Sequence, residues 1–518
     1  MPSLKNKFIV FAFIGSFACL TACDRHKTEV NPITTTHSAV QSIQPKQDDA
    51  VLKRATYEPL TLDLAQLQRV DQASLLRDVR EGLVIADRQG NILPGVAEKW
   101  QTADNKVWIF QLRQNAKWSN GEKITAQDII RSWQHLAQST SPLKQYLALM
   151  NISNASAVLN KQLPVERLGI NALDENTLRI ELDKATPYLP QMLLHPALLL
   201  EYHNPNPNEL IGNGAYQVAQ RQDKQILLIK NPYYWHKDQV TFEQVQYQQI
   251  DAMQKINGFD WVEQPKMLDE TTLLTYLPRL CTYFYEFNFN DPALSQKPVR
   301  QALVSMVSVL NLLPTDPKML INSANFLPRN MQFKQERDWQ PTFIEQQLKQ
   351  AGFSEKHPLT LRISYDNDGL HKLLAERLIQ AWSQSDLIVI KADPLTYQQL
   401  LAKRAKGDFQ IIRAGWCADY NEPSAFLNLL YSYNADNKVH FYNEKIDQLL
   451  QKSLSPTLSQ AQRTQLYQQI MLIVQQEYAQ LSLFQYTKPI YIAPRIAGYQ
   501  ISNPSEVFYS KDLRGKKF

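Results

Sequence analysis

The chain has 518 residues, with 55 Lys and Arg against 50 Asp and Glu, and it is 44% hydrophobic and 10% aromatic. A formal charge of +5 on this length does not provide the basic surface that nucleic-acid binding needs, and the apolar content is too high for a disordered protein. At one domain per roughly 150 residues, the length predicts about three domains or lobes, each with a core of its own.

The first predicted element is a secretory signal peptide over residues 1–22. Two lysines precede an apolar run over 8–20, which is too short for a helix to span a bilayer core, since that takes about 20 residues. The run ends in Leu20-Thr21-Ala22-Cys23, which resembles the lipobox of bacterial lipoproteins. That resemblance implies cleavage before Cys23 and a lipid anchor on its thiol. The alternative is a buried N-terminal helix with an incidental cysteine.

Processing divides the four cysteines into three groups. Cys19 leaves with the signal, Cys23 becomes the anchor, and the mature chain keeps Cys281 and Cys417. An isolated pair in an oxidising compartment is expected to form a disulfide, with two free buried thiols as the alternative. The cleaved signal takes two lysines and no acidic residue, which lowers the formal charge to +3.

A flexible tether is predicted over residues 23–50. This stretch is polar, rich in Thr, Gln and Pro, and without an apolar period. Such a segment holds a folded body on the order of 30 Å from the membrane.

The region that follows the tether mixes strand and helix signals. Asp87-Arg88-Gln89-Gly90 separates two short apolar runs and predicts a hairpin. The stretch 107–112 predicts a strand, and Thr125 with Asp128 predicts the capping box of a helix. Because strands and helices do not alternate strictly, an α+β lobe is predicted here.

The later region alternates in a regular way. Strands are predicted over 359–363, 387–390 and 409–412, and helices over 371–382 and 397–405. This β-α-β-α-β order predicts a parallel sheet with right-handed crossovers, in which ligands bind beyond the carboxyl ends of the strands. The segment after Ile412, from Arg413 to Pro423, is therefore predicted to form a site.

Local signatures of catalysis and cofactor binding are absent from the sequence. It contains no Gly-x-x-x-x-Gly-Lys-Ser/Thr loop, no His-Glu-x-x-His, no Gly-x-Ser-x-Gly and no Cys-x-x-Cys. His195 and His203 are too far apart to share a helical turn, which disfavours a metal site. We predict a protein without cofactor, metal or catalytic residues, and a triad assembled across the fold stays open as the alternative.

Seven segments together resemble the oligopeptide-binding proteins of bacterial ABC importers, a family of periplasmic solute-binding proteins. They are Glu81-Gly82-Leu83, Pro94 to Trp100, Asn115 to Gly121, Asn213 to Tyr216, Asn231 to Trp235, Cys281 to Glu286, and Arg413 to Pro423. The last segment, with Cys281, is similar to the oligopeptide and murein-peptide branch.

The resemblance implies an α/β fold of two lobes that are joined by two crossing strands, enclose the ligand, and carry an extra α+β domain. The implied bounds are 51–80, 205–275 and 485–518 for lobe I, 81–204 for the extra domain, and 276–484 for lobe II.

Carried over to this sequence, the resemblance makes Asp419 the carboxylate that pairs with the α-ammonium of a peptide. Gly415, Trp416 and Cys417 would offer backbone groups to an extended peptide, as an added strand does. Val70 would lie on the opposing strand. The alternatives are a turn residue for Asp419 and an ordinary core residue for Val70.

The same resemblance places His371 and Arg413 at the C-terminal carboxylate of the peptide. A guanidinium suits a carboxylate because its planar fork donates two parallel hydrogen bonds. The alternatives are an exposed position near a helix N-terminus for His371 and a structural ion pair for Arg413. A disulfide between Cys281 and Cys417 also matches the family.

Two positions depart from the family. Leu143 stands where the family has a tyrosine, so one ligand contact is either missing or supplied by Tyr146, and Arg69 stands where a small glycine is usual. A lost tyrosine and a gained arginine suit an acidic or unusual peptide, such as a cell-wall tripeptide.

The sequence as a whole therefore predicts a monomeric, lipid-anchored protein of the periplasm or cell envelope. It would bind short peptides and deliver them to the permease of an ABC importer. It would contact the membrane through Cys23, and it would not bind nucleic acid. A murein-tripeptide-specific binder, a secreted hydrolase of envelope peptides and an interaction protein without ligand remain as alternatives.

Overall fold

The computed structural model describes residues 50–67, 69–203, 209–269, 271–308, 312, 318–333 and 344–516. The predicted signal peptide, the lipidation site at Cys23 and nearly all of the tether lie outside these residues. Within the described part of the chain, no helix is long and apolar enough to span a membrane.

The described residues contain both strands and helices. The strands are β1 (Val51–Thr56), β2 (Val84–Ala86), β3 (Ile92–Pro94), β4 (Ala97–Thr102), β5 (Val107–Leu112), β6 (Ile170–Asp174), β7 (Thr177–Glu181), β8 (Tyr216–Gln222), β9 (Gln225–Lys230), β10 (Gln244–Gln249), β11 (Trp261–Glu263), β12 (Thr275–Phe287), β13 (Leu320–Asn322), β14 (Leu359–Asp366), β15 (Ile388–Leu395), β16 (Ile411–Cys417), β17 (Gln480–Ile492), β18 (Ile496–Ala497) and β19 (Arg514–Gly515). The α-helices are α1 (Ser74–Val79), α2 (Ala126–Gln138), α3 (Tyr146–Leu149), α4 (Ala155–Leu159), α5 (Leu189–Met192), α6 (Lys297–Ser305), α7 (Ile344–Gln350), α8 (Gly369–Trp382), α9 (Tyr397–Lys406), α10 (Ser424–Leu427), α11 (Glu444–Ser453) and α12 (Gln460–Gln476).

One large sheet organises the molecule. Its strand order is β15-β14-β16-β12-β17-β11-β1-β10-β9-β8, and β13 also pairs with β17. β12 and β17 are each 13 residues long and antiparallel, with a shift in register between Pro278 and Thr282. On one side of the shift they adjoin β11, and on the other they adjoin β16. These are the two crossing strands that the resemblance implied, and they join two lobes.

The late lobe confirms the predicted β-α-β-α-β order. β14 pairs in parallel with both β15 and β16, and α8 and α9 form the connections. Thr396 and Gln399 form a capping box at the start of α9, and Gly407 ends that helix with a φ of 69°, a left-handed conformation that favours glycine. Local sequence therefore determines where this helix begins and ends.

β16 is longer than the sequence pattern predicts. The prediction ended the strand at Ile412, whereas it continues to Cys417. Its last five residues pair with the part of β12 between Cys281 and Tyr285. Because this partner lies more than 100 residues away in the chain, no local periodicity indicates the extension, and tertiary pairing decides it.

The early α+β region also follows the prediction. β2 and β3 form the hairpin, with Gly90 at a φ of 86° in its turn. The strands β4, β5, β7 and β6 form a separate antiparallel sheet. Helix α2 begins with the capping box of Thr125 and Asp128 and buries Ile129 and Trp133.

The core of the early region continues into the late part of the chain. One apolar cluster contains Phe110 and Trp133 together with Phe426 and Ile470. Tyr188 stacks on Tyr420 with 5.4 Å between ring centroids. The segment after β16 is therefore packed directly against the early region.

Candidate functional site

The outer edge of β16 is open next to the predicted site. β14 pairs with β16 at Ile411 and Ile412, and no described strand pairs with that edge from Arg413 to Cys417. Gly415 lies so close to β12 that an added Cβ would be 3.0 Å from the carbonyl oxygen of Thr282, which explains the glycine. An extended chain could form backbone hydrogen bonds along this edge.

A disulfide fixes the end of this strand. Cys281 and Cys417 are bonded and lie directly opposite each other on β12 and β16, as predicted. The next residue, Ala418, donates its N–H to the carbonyl oxygen of Leu280 at 2.8 Å. The loop that carries Asp419 therefore begins from a covalently braced position.

Asp419 lies in a cavity of about 830 Å³, here called the large cavity. The residue is exposed to this cavity, and it has no hydrogen-bond or ion-pair partner among the described residues. Neighbouring protein atoms displace water around the carboxyl group, and this burial raises its pKa above the ordinary value. The arrangement leaves a carboxylate that lacks a counter-charge.

Both signs of charge line the same cavity. The cations are Arg69, Arg77, Arg279 and Lys488, and the anions are Glu263, Asp419 and Glu506. Val70 also lines this cavity, so the structure brings together Val70, Cys417 and Asp419 among the predicted site residues.

Lys488 forms the centre of an ion-pair network on the crossing strands. Its Nζ lies 2.5 Å from Glu263 and 3.7 Å from Glu506, and Arg279 contacts Glu506 at 2.8 Å. Burial acts to lower the pKa of Lys488, but the charges of Glu263 and Glu506 outweigh it and the pKa is raised. Lys488 is therefore charged at neutral pH.

We expect Lys488→Met to lower the free energy of unfolding by about 3 kcal/mol, because it leaves a buried carboxylate without its main partner. Lys488 is 3% exposed. The measurement is urea denaturation followed by circular dichroism.

Two variants control for this effect. Adding Glu263→Gln to Lys488→Met should recover part of the loss, and Lys297→Met, whose side chain is 47% exposed in its pair with Glu477, should cost less than about 1 kcal/mol. Equal losses from Lys488→Met and Lys297→Met would contradict the expectation.

Arg413 and His371 meet at Asp366, outside the large cavity. Nε and Nη2 of Arg413 donate to the two carboxylate oxygens of Asp366 at 2.7 and 2.5 Å. His371 has its Nε2 3.5 Å from the same carboxylate and stacks on Tyr283. Burial, and then the charge of Arg413, lower the pKa of His371. The structure thus contains the ion pair that was the alternative for Arg413.

A smaller cavity of about 260 Å³ lies along the same strand. Arg413, Gly415 and Trp416 line it, together with Arg404. Of the predicted site residues, Arg413, Gly415 and Trp416 line this cavity, whereas Cys417, Asp419 and Val70 line the large one.

The carboxylates and the imidazole near Arg413 also have the composition of a metal site. Atoms of Asp366, Asp368 and His371 lie within 4.8 Å of one another. Asp366, however, already binds a guanidinium through both oxygens, so a cation would compete with Arg413. The geometry favours an arginine–carboxylate pair.

Tyr146, the possible substitute for the tyrosine that Leu143 replaces, and Arg69 differ in their surroundings. Tyr146 is buried, donates to the carbonyl oxygen of Met192 at 3.1 Å, and has its pKa raised by burial and then by the charge of Asp419. Its hydroxyl therefore already has a partner in the protein. Arg69 lines the large cavity but pairs with Glu58 at 3.2 Å.

Comparison with known proteins identifies the family. Residues 91–438 match the bacterial extracellular solute-binding proteins, family 5. The chain belongs to this family. It is also similar over nearly its whole length to curated members. A putative binding protein of Haemophilus influenzae is 47% identical, with 98% of this chain and 97% of that protein covered.

Two further relatives of this family 5 protein have names that state a ligand. The periplasmic oligopeptide-binding protein OppA of Salmonella typhimurium is 30% identical, over 91% of this chain and 93% of that protein. The periplasmic murein peptide-binding protein MppA of Escherichia coli is 30% identical, over 88% and 91%.

Solved structures of MppA are similar to this chain. The unliganded open form matches with a TM-score of 0.81 at 29% identity, covering 90% of this chain and 97% of that one. A second structure, that of the Escherichia coli murein tripeptide binding protein MppA, is also 29% identical, covers 90% of this chain and 99% of that one, and matches with a TM-score of 0.63.

Arg77 and His195 are among the residues of the large cavity that sequence reasoning missed. Both are buried, and neither stands in a motif. The one available signal was Arg77 itself, which stands among the apolar residues of the stretch Leu75-Leu76-Arg77-Asp78-Val79. Arginine is seldom fully buried unless it has a partner.

Proposed function

We propose that this chain binds short peptides in an extended conformation between its lobes and delivers them to the permease of an ABC importer. The observation that carries the proposal is the open edge of β16 beside the unpaired carboxylate of Asp419. A strand edge binds the main chain of any peptide, and Asp419 supplies the counter-charge for an α-ammonium group. The names of the relatives, which refer to oligopeptides and murein peptides, agree with it.

In this proposal the predicted residues bind different parts of the peptide. Gly415, Trp416 and Cys417 bind the peptide main chain, and Val70 faces it from the other wall. Arg413 and His371 receive the C-terminal carboxylate. Asp366 occupies two of the five N–H donors of Arg413, which leaves three for a ligand.

Native mass spectrometry of the protein purified from cells tests the proposal. We expect co-purified peptides and, after their removal, saturable 1:1 binding of added tripeptides without products. Turnover of peptides that a single Ser, Asp or His substitution abolishes would instead support a hydrolase. Absence of any bound peptide would support an interaction protein without ligand.

The proposal also names a preferred peptide. The murein-peptide branch suggests a cell-wall tripeptide as one ligand. Calorimetry with the murein tripeptide and with trialanine decides this point, because equal affinities would remove the preference.

We further propose that Cys23 carries a lipid anchor that holds the protein at the periplasmic face of a membrane. Cys23→Ala should then move the protein from the membrane pellet to the soluble fraction, because the modified thiol is lost. Fractionation with immunodetection measures the change, and Cys19→Ala is the matched control that should stay in the pellet. Unchanged membrane attachment of Cys23→Ala would contradict the anchor.

A further inference from the structure

Arg77, on α1, is a buried cation in the wall of the large cavity. It is 8% exposed, and its Nη1 donates to the carbonyl oxygen of Leu194 at 3.0 Å. No carboxylate of the described residues forms an ion pair with it. Burial lowers the pKa of Arg77 from its ordinary value, but a guanidinium begins above 12 and stays protonated at neutral pH.

The other cations of this cavity have carboxylate partners. Arg279 contacts Glu506, and Lys488 contacts Glu263 and Glu506. The exposed Arg69 pairs with Glu58. In the described part of the chain, Arg77 is thus the cavity-lining cation without a counter-charge.

His195 adds a second donor beside Arg77. It follows Leu194, and its Nδ1 accepts the N–H of Ala197 at 3.2 Å, which places the ring proton on Nε2. Burial, and then the charge of Arg77, lower the pKa of His195 to about 3. At neutral pH the ring is therefore uncharged, with an Nε2–H group that has no acceptor among the described residues.

The pair of donors lines the same cavity as Asp419. His195 stacks on Tyr146 with 3.7 Å between ring centroids. The charge of Arg77 acts on His195, and the charge of Asp419 acts on Tyr146. A ligand in this cavity can therefore contact both the donors and Asp419.

We propose that Arg77, with the Nε2–H of His195, binds a carboxylate on the first residue of the peptide, the residue whose α-ammonium meets Asp419. This inference rests on the proposed function and names a ligand class within it, peptides with an acidic first residue. Closure of the lobes removes water from the cavity, and an isolated buried cation then needs a counter-charge. Asp419 is engaged by the ammonium group, so the ligand supplies the anion.

Calorimetry with two nearly isosteric tripeptides, Glu-Ala-Ala and Gln-Ala-Ala, tests the proposal. They differ in one charge on the first side chain. We expect the native protein to bind Glu-Ala-Ala about ten-fold more tightly, since a hydrogen bond to a charged group contributes roughly that much. Arg77→Met should make the two affinities equal, and Arg77→Lys should keep part of the difference.

Matched variants keep the test decisive. Lys297→Met removes a cation that pairs with Glu477 and lies outside both cavities, and it should leave the ratio of affinities unchanged. His195→Phe keeps an aromatic ring but removes the donor, so it should reduce the ratio even if Arg77→Met fails to fold. Binding of Gln-Ala-Ala and the thermal melt of each variant report on folding.

Three results would overturn the proposal. Equal affinities in the native protein would exclude an acidic preference. If Arg77→Met still binds Glu-Ala-Ala more tightly than Gln-Ala-Ala by the native ratio, another residue causes the preference. If Arg77→Met binds both peptides equally more weakly than the native protein does, Arg77 pairs with Asp419 on closure. If the folded native protein binds neither peptide, the proposed function itself fails.

Discussion

Asp419→Asn is expected to lower the affinity for a tripeptide with a free amino terminus by about 100-fold, or ~3 kcal/mol. The substitution keeps the size of the side chain but removes the charge that the ammonium group of the peptide requires in a closed cleft. Asp419 has no cation partner among the described residues, so its loss leaves no protein group unpaired. The measurement is isothermal titration calorimetry with trialanine at pH 7.

Two controls isolate the charge pair at Asp419. N-acetyl-trialanine should bind the native protein as weakly as trialanine binds Asp419→Asn. Asp408→Asn, which lies before the other end of β16 and outside both cavities, should change the affinity less than two-fold. Undiminished affinity of Asp419→Asn would disprove the assignment of this residue.

Removal of the disulfide is expected to have the largest effect on stability. Cys281 and Cys417 are 136 residues apart in sequence, and closing a loop of that size restricts the unfolded chain by about 5 kcal/mol in the chain-entropy model. We expect Cys281→Ser combined with Cys417→Ser to lower the free energy of unfolding by about this amount. Urea denaturation followed by far-UV circular dichroism measures it.

Reductant provides the control for this prediction. The native protein in dithiothreitol should unfold at the same urea concentration as the double variant, and the double variant should not respond to dithiothreitol. A difference below about 1 kcal/mol between oxidised and reduced protein would mean that strand pairing alone stabilises this part of the sheet.

The sequence predicted those elements whose signals are local. Thr125 and Asp128 are three residues apart, and Asp87 and Gly90 form one turn, so a short window contains all the information. The family 5 membership and the two-lobed fold rest on a larger number of such segments. The disulfide was also predictable, because processing leaves a single pair of cysteines.

Features that depend on distant partners were not predictable. The extension of β16 to Cys417 depends on pairing with β12, and the ion pair of Arg413 depends on Asp366, 47 residues away. Lys488 likewise pairs with Glu263, which is more than 200 residues away in the sequence. A sequence pattern does not report which charges meet across a fold, so Arg77 could not be recognised as a cation without a partner.

The predicted site residues form two groups in the structure. Val70, Cys417 and Asp419 line one cavity, and Gly415, Trp416 and Arg413 line another. His371 is joined to the second group through Asp366. This grouping was not predictable, because residues that are adjacent in sequence, such as Trp416 and Cys417, line different cavities.

The shift in register between β12 and β17 has a mechanical consequence. Pro278, which begins the shift, has no N–H to donate, so bending the strands there breaks few hydrogen bonds. Cys281 lies three residues further along and is bonded to Cys417, two residues before Asp419. A rotation of one lobe about this point would therefore turn the loop of Asp419 with it. The proposed binding of the peptide's ammonium group and the closure of the cleft would then be one movement.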